Sequence, residues 1–275
     1  MADTEQLAIA QLTVDDAPAG LILSTEAHWN QTEADWRFFL SMGIVFGVRD
    51  HGGRLVATAA LLPYSAGNAW ISMVLVTQDW RRRGLATRLV DACLNRADKL
   101  GLTTWLDATP AGAAVYGPLG FEPTLQLRRL RLEASRAPRV TALLASCDLC
   151  ELITRDRRAI GFERGDLFRE LATRSTSRLV SNGKAMALIR DGRTARHIGP
   201  LFADHPDHAL ALVGDIAASE TGPLLIDTVA ERNDFLRDLT DSGWTIERPF
   251  QRMRFGAATV QPAGLPFAVA GPEYG

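Results

Sequence analysis

Four arginines, a glycine and a small residue follow a predicted strand in the stretch Asp79-Trp-Arg-Arg-Arg-Gly-Leu-Ala-Thr-Arg-Leu89. When a strand passes through a glycine-containing turn into a helix, the first helical N–H groups have no intrahelical acceptor and the helix dipole favours negative charge there. Gly84 lets a phosphate approach the main chain, Ala86 keeps the next position small, and Arg82 and Arg83 add positive charge. The pattern indicates an anion site, although an arginine-capped surface turn would have the same short spacing.

Other ligands of arginine-rich or glycine-rich loops do not fit this stretch. It lacks the Gly-Lys-Ser/Thr of a Walker loop, and it lacks the third glycine and the early position of a dinucleotide fingerprint. With a formal net charge of −2, the chain lacks the basic excess that a nucleic-acid binder carries. We therefore expect a local purpose for the arginines and no nucleic-acid partner.

The composition predicts a globular protein of two domains in the cytoplasm. A length of 275 residues is comfortable for two domains, and a hydrophobic content of 47% is enough for a sizeable core. The N-terminal residues are acidic, and no window approaches 18 apolar residues, so we expect neither a signal peptide nor a membrane span. Cys147 and Cys150 have CxxC spacing without the further ligands of a zinc site, so we expect no metal.

The elements that must position the loop are predicted from periodicity. Strands are expected at 7–13, 44–49, 55–62, 70–77, 103–108 and 125–132, and helices at 18–28, 32–43, 84–100 and 111–119. This order predicts an α/β (α+β) domain over residues 1–133, with a mixed, mostly antiparallel sheet flanked by helices.

The second half repeats this order in a reduced form. A strand that ends in Asp227 echoes the strand that ends in Asp107, and each half then reaches a glycine, an aromatic residue and an arginine-rich strand. The loop differs, because VTQDWRRRGLAT becomes FADHPDHALAL, which is shorter and has no glycine. After a linker at 134–138 we therefore expect a degenerate second domain over 134–275.

Residues 73–101 resemble the acyl-CoA-binding motif of the GNAT superfamily of N-acetyltransferases. That motif places Arg/Gln-x-x-Gly-x-Gly/Ala after a splayed strand, and here it is carried by Arg81, Gly84 and Ala86. The following strand and helix, up to Tyr116 and Gly120-Phe121, resemble the next segment of the superfamily. The tandem layout resembles a bacterial two-domain subgroup.

The resemblance implies how acetyl-CoA, the acyl donor, would bind. Main-chain N–H groups of the loop would hold the pyrophosphate, and the splayed strand would pair with the pantetheine arm. The residues implied are Val74, Leu75, Val76, Arg81, Arg82, Arg83, Gly84, Leu85, Ala86 and Thr87.

The resemblance also implies catalytic residues. Tyr116 matches a tyrosine near the CoA sulfur, and a phenol, whose ordinary pKa is about 10, can protonate a leaving thiolate. Leu239 stands at the equivalent place in the second half. Asp107 is a candidate general base, but Asp227 occupies the same place in the second half, so a structural role for Asp107 stays open.

The acceptor is expected beside the helices that follow the first strand, where relatives border the acceptor pocket. Candidate substrate-binding residues are Glu26, His28, Trp29 and Asp35, each of which could instead be a surface, capping or core group, and water could relay the proton. We expect direct acetyl transfer to a primary amine of a small molecule by a monomer or homodimer. Two alternatives stay open: a non-catalytic acyl-CoA-binding or sensor protein, and an acetyltransferase of protein N-termini or lysines.

Overall fold

The computed structural model describes residues 7–133, 144–257 and 262–275. These residues form two compact units. The first holds the described residues up to Leu106, residues 254–257 and Tyr274, and the second holds the described residues of Asp107–Met253, residues 262–273 and Gly275. The predicted linker at 134–138 lies outside the described residues, and a division of the chain at 133/134 stays a prediction.

The first unit is built around five strands and three helices. In chain order they are β1 (Ile9–Gln11), α1 (Ala17–Glu26), α2 (Glu33–Met42), β2 (Ile44–Arg49), β3 (Leu55–Tyr64), β4 (Asn68–Val76), α3 (Leu85–Lys99) and β5 (Thr103–Ala108), whose last two residues belong to the second unit. The strands lie in the order β1-β2-β3-β4-β5, antiparallel except for the parallel pair β4–β5. The predicted mixed, mostly antiparallel sheet is confirmed.

Local sequence explains where the helices of this unit begin and end. Thr32 caps α2, since its hydroxyl accepts from the amide of Asp35 at 3.3 Å while the Asp35 carboxylate accepts from the amide of Thr32 at 2.7 Å. Gly43 follows the last residue of α2. In α3 an apolar stripe packs on the sheet, and the buried residues are Leu85, Leu89, Val90, Cys93 and Ala97. The helices predicted at 32–43 and 84–100 are confirmed to within a residue or two.

The second unit contains the remaining elements. They are α4 (Pro110–Tyr116), β6 (Glu122–Leu132), α5 (Leu149–Ile160), α6 (Gly165–Thr173), β7 (Arg178–Ser181), β8 (Ala185–Arg190), β9 (Arg196–Ala203), α7 (Pro206–Ser219), β10 (Leu224–Val229), α8 (Asn233–Asp241) and β11 (Thr245–Phe255), whose last two residues belong to the first unit. Its strands lie in the order β11-β6-β10-β9-β8-β7. The pair β9–β10 is parallel, whereas β10–β6, β9–β8 and β8–β7 are antiparallel. The core includes Leu130, Ile198, Leu212, Ile226 and Phe235.

Strand β6, like α4 before it, belongs to the second unit although it lies within the residues 1–133 predicted as the first domain. Its last six residues, 127–132, pair antiparallel with β10, with Arg129 opposite Asp227. Alternation predicts that a segment is a strand, but it does not select its partner, because any apolar face of the right length fits. The pairing of β6 with β10 was therefore not predicted from the sequence.

Candidate functional site

Strands β4 and β5 open into a cleft partway along the first unit. They pair at three positions, Asn68–Thr103, Ala69–Thr104 and Trp70–Trp105. Beyond Trp70, β4 continues for six residues to Val76 with no further ladder to β5 among the described residues. Backbone groups on that edge of β4 are therefore available to a ligand that pairs like a strand.

A bulge sets the direction of this edge. The register between β3 and β4 shifts by one residue between Thr58 and Ala60, and Met73 has a φ of 51°. A left-handed conformation is costly for a residue with a side chain, by roughly 1 kcal/mol, so it persists only where its surroundings fix it. The hydroxyl of Thr58 donates to the carbonyl of Met73 at 2.8 Å and is such a restraint.

Alternation then identifies the amides that face the cleft. The amide of Thr77 donates to the carbonyl of Val56 in β3 at 2.9 Å, and Leu75 lies opposite Thr58. Successive residues of a strand point their N–H groups to opposite edges. The amides of Thr77 and Leu75 therefore face β3, and the amides of Val74 and Val76 face the cleft. Of the three strand residues predicted to hold a pantetheine arm, the side chain of Leu75 is buried and its neighbours are half-buried.

The loop after β4 brings main-chain N–H groups together. It begins with a short 3₁₀ turn at Gln78–Trp80 and ends at Gly84, the N-cap of α3. Arg82 and Gly84 both have positive φ angles, 59° and 76°. Left-handed residues in a turn bend successive N–H groups toward one point, a geometry that binds anions. The strained conformation of Arg82, a non-glycine residue, is typical of a functional loop.

The start of α3 fits a phosphate group. Gly84 has no side chain to cap the helix, and no other side chain of the described residues accepts from the first turn. The amides of Leu85, Ala86 and Thr87 are therefore directed toward solvent with the positive end of the helix dipole. A Cβ built on Gly84 would meet no atom within 4 Å, so there is room for a ligand at this position. This local geometry is of the kind that binds anions, and the anion site itself stays a prediction.

The four arginines of this stretch have different partners. Arg81 donates from Nε to the carbonyl of Val76 at 3.0 Å, Arg83 donates to the carbonyl of Asp79 at 2.9 Å, and Arg88 donates to the carbonyl of Leu7 at 2.8 Å. Arg83 also lies 4.7 Å from the centroid of the Trp80 ring. Arg82 has no hydrogen bond or ion pair within the described part of the chain. Arg81 and Arg83 therefore brace the loop, Arg88 binds the chain near the N-terminus, and the exposed Arg82 makes no such bond among the described residues.

Glu26, a predicted substrate-binding residue, is attached to this loop. Its carboxylate accepts from the hydroxyl of Thr77 at 2.6 Å and from the amide of Gln78 at 2.7 Å. The hydrogen bond from Thr77 lowers the pKa of Glu26, and the amide of Gln78 acts in the same direction. The last residue of α1 therefore fixes the first residues of the loop, a contact 51 positions apart that no sequence pattern indicated.

His28 and Trp29, two further predicted substrate-binding residues, terminate α1. The amide of His28 donates to Thr25 and the amide of Trp29 donates to Ser24, which is a Schellman motif. His28 occupies the left-handed position of that motif, with a φ of 57°, where glycine is the usual residue. The side chain of His28 is exposed and that of Trp29 is half-buried, so both can contact an acceptor molecule.

Asp35, the fourth predicted substrate-binding residue, is buried. Besides its capping bond to Thr32, its carboxylate accepts from the hydroxyl of Tyr274 at 2.7 Å. The ring of Tyr274 stacks on Phe39 with centroids 5.2 Å apart, and its carbonyl accepts from the hydroxyl of Tyr64 at 3.0 Å. This geometry supports a structural function for Asp35, which the sequence left open.

Asp107, the predicted base, is held by Arg252 in the second unit. Two N–H groups of Arg252 donate to its two carboxylate oxygens, each at 2.8 Å. Burial raises the pKa of Asp107, and Arg252 opposes that shift. With both oxygens occupied, Asp107 is well placed to fix the end of β5, and its assignment as a base stays a prediction.

Asp227 repeats this arrangement at the equivalent strand end. Arg129 donates two hydrogen bonds to its carboxylate, both at 2.8 Å, and Nε2 of His197 lies 2.8 Å from one of the same oxygens. Burial acts to raise the pKa of Asp227, but Arg129 and His197 outweigh it and hold the pKa below its usual range. Burial also lowers the pKa of His197. The repeat that the sequence suggested extends to its ion pairs.

Tyr116, the predicted proton donor, ends α4 in the second unit. Its side chain is 9% exposed, and its ring lies 5.9 Å from that of Phe121. A Cβ on Gly112 would lie 3.0 Å from the Tyr116 ring, so a small residue is needed there. The equivalent Leu239 is fully buried in α8 and has no hydroxyl. The catalytic role of Tyr116 stays a prediction.

Among the described residues no group of three or more His, Cys, Asp and Glu side chains is arranged to hold a metal ion. Within the same part of the chain, no helix combines the length and the apolar character that crossing a bilayer requires.

Comparison with known proteins identifies the family. Residues 8–121 match the family model described as the acetyltransferase (GNAT) family, and residues 152–264 match the one described as an acetyltransferase (GNAT) domain. The chain is 25% identical to the uncharacterized N-acetyltransferase YitH of Bacillus subtilis (strain 168) over 238 residues, which are 82% of this chain and 84% of that protein.

Solved structures share the fold. A candidate acetyltransferase from Pyrococcus horikoshii aligns with a TM-score of 0.81 at 18% identity over 100% of this chain and 98% of its own. A tandem GNAT protein from the clavulanic acid biosynthesis pathway aligns with a TM-score of 0.65 at 15% identity over 92% of this chain and 100% of its own. With one matching domain in each half, the chain belongs to the GNAT superfamily of acetyltransferases as a two-domain member.

Proposed function

We propose that the protein transfers an acetyl group from acetyl-CoA to a primary amine of a small molecule. One observation carries this proposal: the first unit combines an open edge of β4 with the uncapped start of α3, joined by the loop that ends at Gly84. The open edge suits the amide-bearing arm of the donor, and the loop suits its pyrophosphate.

The donor supplies an acyl thioester, and the protein positions it. In this proposal the amides of Val74 and Val76 pair with the arm, the amides between Arg82 and Thr87 bind the pyrophosphate, and Arg82 adds charge at the rim. Amides that point at the thioester carbonyl stabilise the negative charge that develops on its oxygen during attack. The residues proposed to bind the donor all belong to the first unit.

The reaction requires a neutral amine. Its nitrogen forms a bond with the acetyl carbon, the carbon–sulfur bond breaks, the amine releases a proton and the thiolate takes one. We assign protonation of the thiolate to the hydroxyl of Tyr116. Both carboxylate oxygens of Glu26, Asp35 and Asp107 already accept hydrogen bonds from other groups of the protein, so we assign removal of the amine proton to water.

A thiol-release screen tests the proposal. Purified full-length chain and acetyl-CoA are mixed with amino acids, polyamines, aminoglycosides and short peptides, and free thiol and acetylated product are measured. Turnover of at least one small amine is the expected result. Tight CoA binding with no product would instead favour a non-catalytic acyl-CoA-binding or sensor protein, and product with peptides alone would favour protein N-termini or lysines as acceptors.

A further inference from the structure

Strands β9 and β10 of the second unit also separate after three paired positions. The pairs are Arg196–Leu224, His197–Leu225 and Ile198–Ile226. This repeats the short pairing of β4 with β5 in the first unit. In the second unit, however, the space between the strands is occupied by residues 267–269 of the same chain.

This segment pairs with both separated strands at once. On the β9 side the amide of Phe267 donates to the carbonyl of Leu201 at 2.9 Å, and the amide of Leu201 donates to the carbonyl of Ala268 at 3.0 Å. On the β10 side the amide of Val229 donates to Phe267 at 3.3 Å, and the amide of Val269 donates to the carbonyl of Asp227 at 3.0 Å. Ala268 bridges to a residue of each strand.

Side chains fix the segment in place. The ring of Phe267 is 1% exposed and meets Phe235 edge to face at 5.1 Å, and the Arg232 guanidinium lies 4.4 Å from its centroid. The main chains of β9 and the segment also approach each other closely, since a Cβ built on Gly199 would lie 2.1 Å from the carbonyl oxygen of Val269. The glycine in β9 therefore makes room for the segment.

The helix that follows β9 lacks the features of an anion site. Pro206 is the first residue of α7 and has no amide hydrogen, and Asp207 places a carboxylate in the first turn. His205 caps the helix, since its Nδ1 accepts from the amide of Asp207 at 3.3 Å. An approaching phosphate would meet a capped, negatively charged helix start.

We infer that the cleft between β9 and β10 is a peptide-binding cleft whose resident ligand is residues 267–269, and that it takes no acyl-CoA. The comparison with the cleft proposed to bind the donor rests on the function proposed for the first unit. The occupancy of the β9–β10 cleft by residues 267–269 does not rest on that function. Main-chain pairing on two sides is how a sheet binds an extended peptide. The second domain is thus a GNAT fold completed by its own chain.

Hydrogen exchange of the full-length protein tests the occupancy without any ligand. The amides of Phe267 and Val269 are expected to exchange about 100-fold more slowly than unprotected amides, as core strand amides do, in step with those of Leu201 and Val229. Exchange of the segment at unprotected rates, with β9 and β10 protected, would overturn the inference. This measurement needs no variant, so a folding failure cannot obscure it.

A substitution tests the fit. Gly199→Ala places a methyl group against the carbonyl of Val269 and is expected to raise exchange in residues 262–273 by about 100-fold, leaving β2 and β3 unchanged. Gly214→Ala in α7 is the matched control, because its Cβ meets no atom within 4 Å, and it is expected to leave the segment protected. Unchanged protection in a folded Gly199→Ala protein would contradict the fit described here.

Titration with acetyl-CoA tests the ligand selectivity of the two clefts. One site per chain is expected, and the Gly84→Ala variant should weaken that site without revealing another. Two sites per chain would overturn the exclusion of acyl-CoA from the second unit. Absence of any binding would contradict the function proposed for the first unit, whereas the exchange experiment would still decide the occupancy of the second cleft.

Discussion

The carboxylate of Glu26 accepts a hydrogen bond from the hydroxyl of Thr77 at 2.6 Å and thereby joins the end of α1 to the start of the loop after β4. A second bond, from the amide of Gln78 at 2.7 Å, fixes the first turn of that loop. Since the loop carries the amides proposed to bind the donor, this contact links that loop to α1, whose last residue is a candidate for acceptor binding.

Glu26→Gln should destabilise the protein by about 1 kcal/mol at pH 7, because the amide nitrogen of glutamine cannot accept a hydrogen bond. The pKa of Glu26 is lowered in the folded state, so its contribution is present above the ordinary glutamate value of about 4.3 and is lost as pH falls further. Denaturant unfolding of both proteins from pH 7 to pH 3 measures the difference. Glu33→Gln, which removes an exposed i,i+4 pair with Arg37, is the control and should cost less than about 0.5 kcal/mol. A Glu26→Gln difference that grows toward acid pH would contradict the assignment.

Gly84→Ala should weaken acetyl-CoA binding by about tenfold or more, because a methyl group at a φ of 76° strains the loop and occupies the space beside its amides. Gly53→Ala in the β2–β3 turn is a matched control, with a φ of 83° and equally open surroundings. Both should lose about 1 kcal/mol of stability, whereas calorimetry should show a loss of affinity in the Gly84 variant alone. Equal affinities in the two variants would remove this loop from the donor site.

Arg82→Gln should raise the dissociation constant for acetyl-CoA by about fivefold at low salt, since Arg82 is the arginine of the loop with no partner among the described residues. The effect should shrink near 1 M salt, where the screening length is about 3 Å. Arg37→Gln, on the exposed face of α2, is expected to change the affinity little at either salt concentration. Salt-independent loss of affinity in Arg82→Gln would indicate a folding effect.

Asp107→Asn and Asp227→Asn should each destabilise the protein by about 3 kcal/mol, because each leaves a largely buried arginine without its carboxylate. The lowered pKa of Asp227 means that its contribution is present above about pH 4, the ordinary aspartate range, and is lost at lower pH. If Asp107 only positions β5, turnover per folded molecule of Asp107→Asn should stay within about threefold of the wild-type value. A fall of about 100-fold or more at full folding would establish Asp107 as the base predicted from the sequence.

Much of this architecture could be predicted because its signals are local. The capping box at Thr32, the apolar stripe of α3 and the strand from Thr103 to Ala108 are each encoded within a dozen residues. The strand-to-helix junction at Gly84 was predictable for the same reason, since glycine and arginine spacing at such a junction is a short-range pattern.

The rest depends on contacts between distant residues. The sequence could not show that Glu26 binds Thr77, that Arg252 occupies the candidate base Asp107, or that Ala268 lies between β9 and β10. Each contact joins groups that many other partners could satisfy, and only packing selects among them. The helices α5 and α6 were also not predicted from the chain between the two repeated halves.

We propose that the first unit binds acetyl-CoA for transfer to an amine, with Tyr116 as proton donor. To test this, free CoA and acetylated amine are quantified together, with the best amine from the screen, for the wild-type protein and Tyr116→Phe. We predict equal amounts of the two products from the wild type and a rate at least about 100-fold lower in a folded Tyr116→Phe protein. Unchanged turnover in that variant would remove Tyr116 from the mechanism, and CoA release without acetylated amine would contradict the proposed transfer.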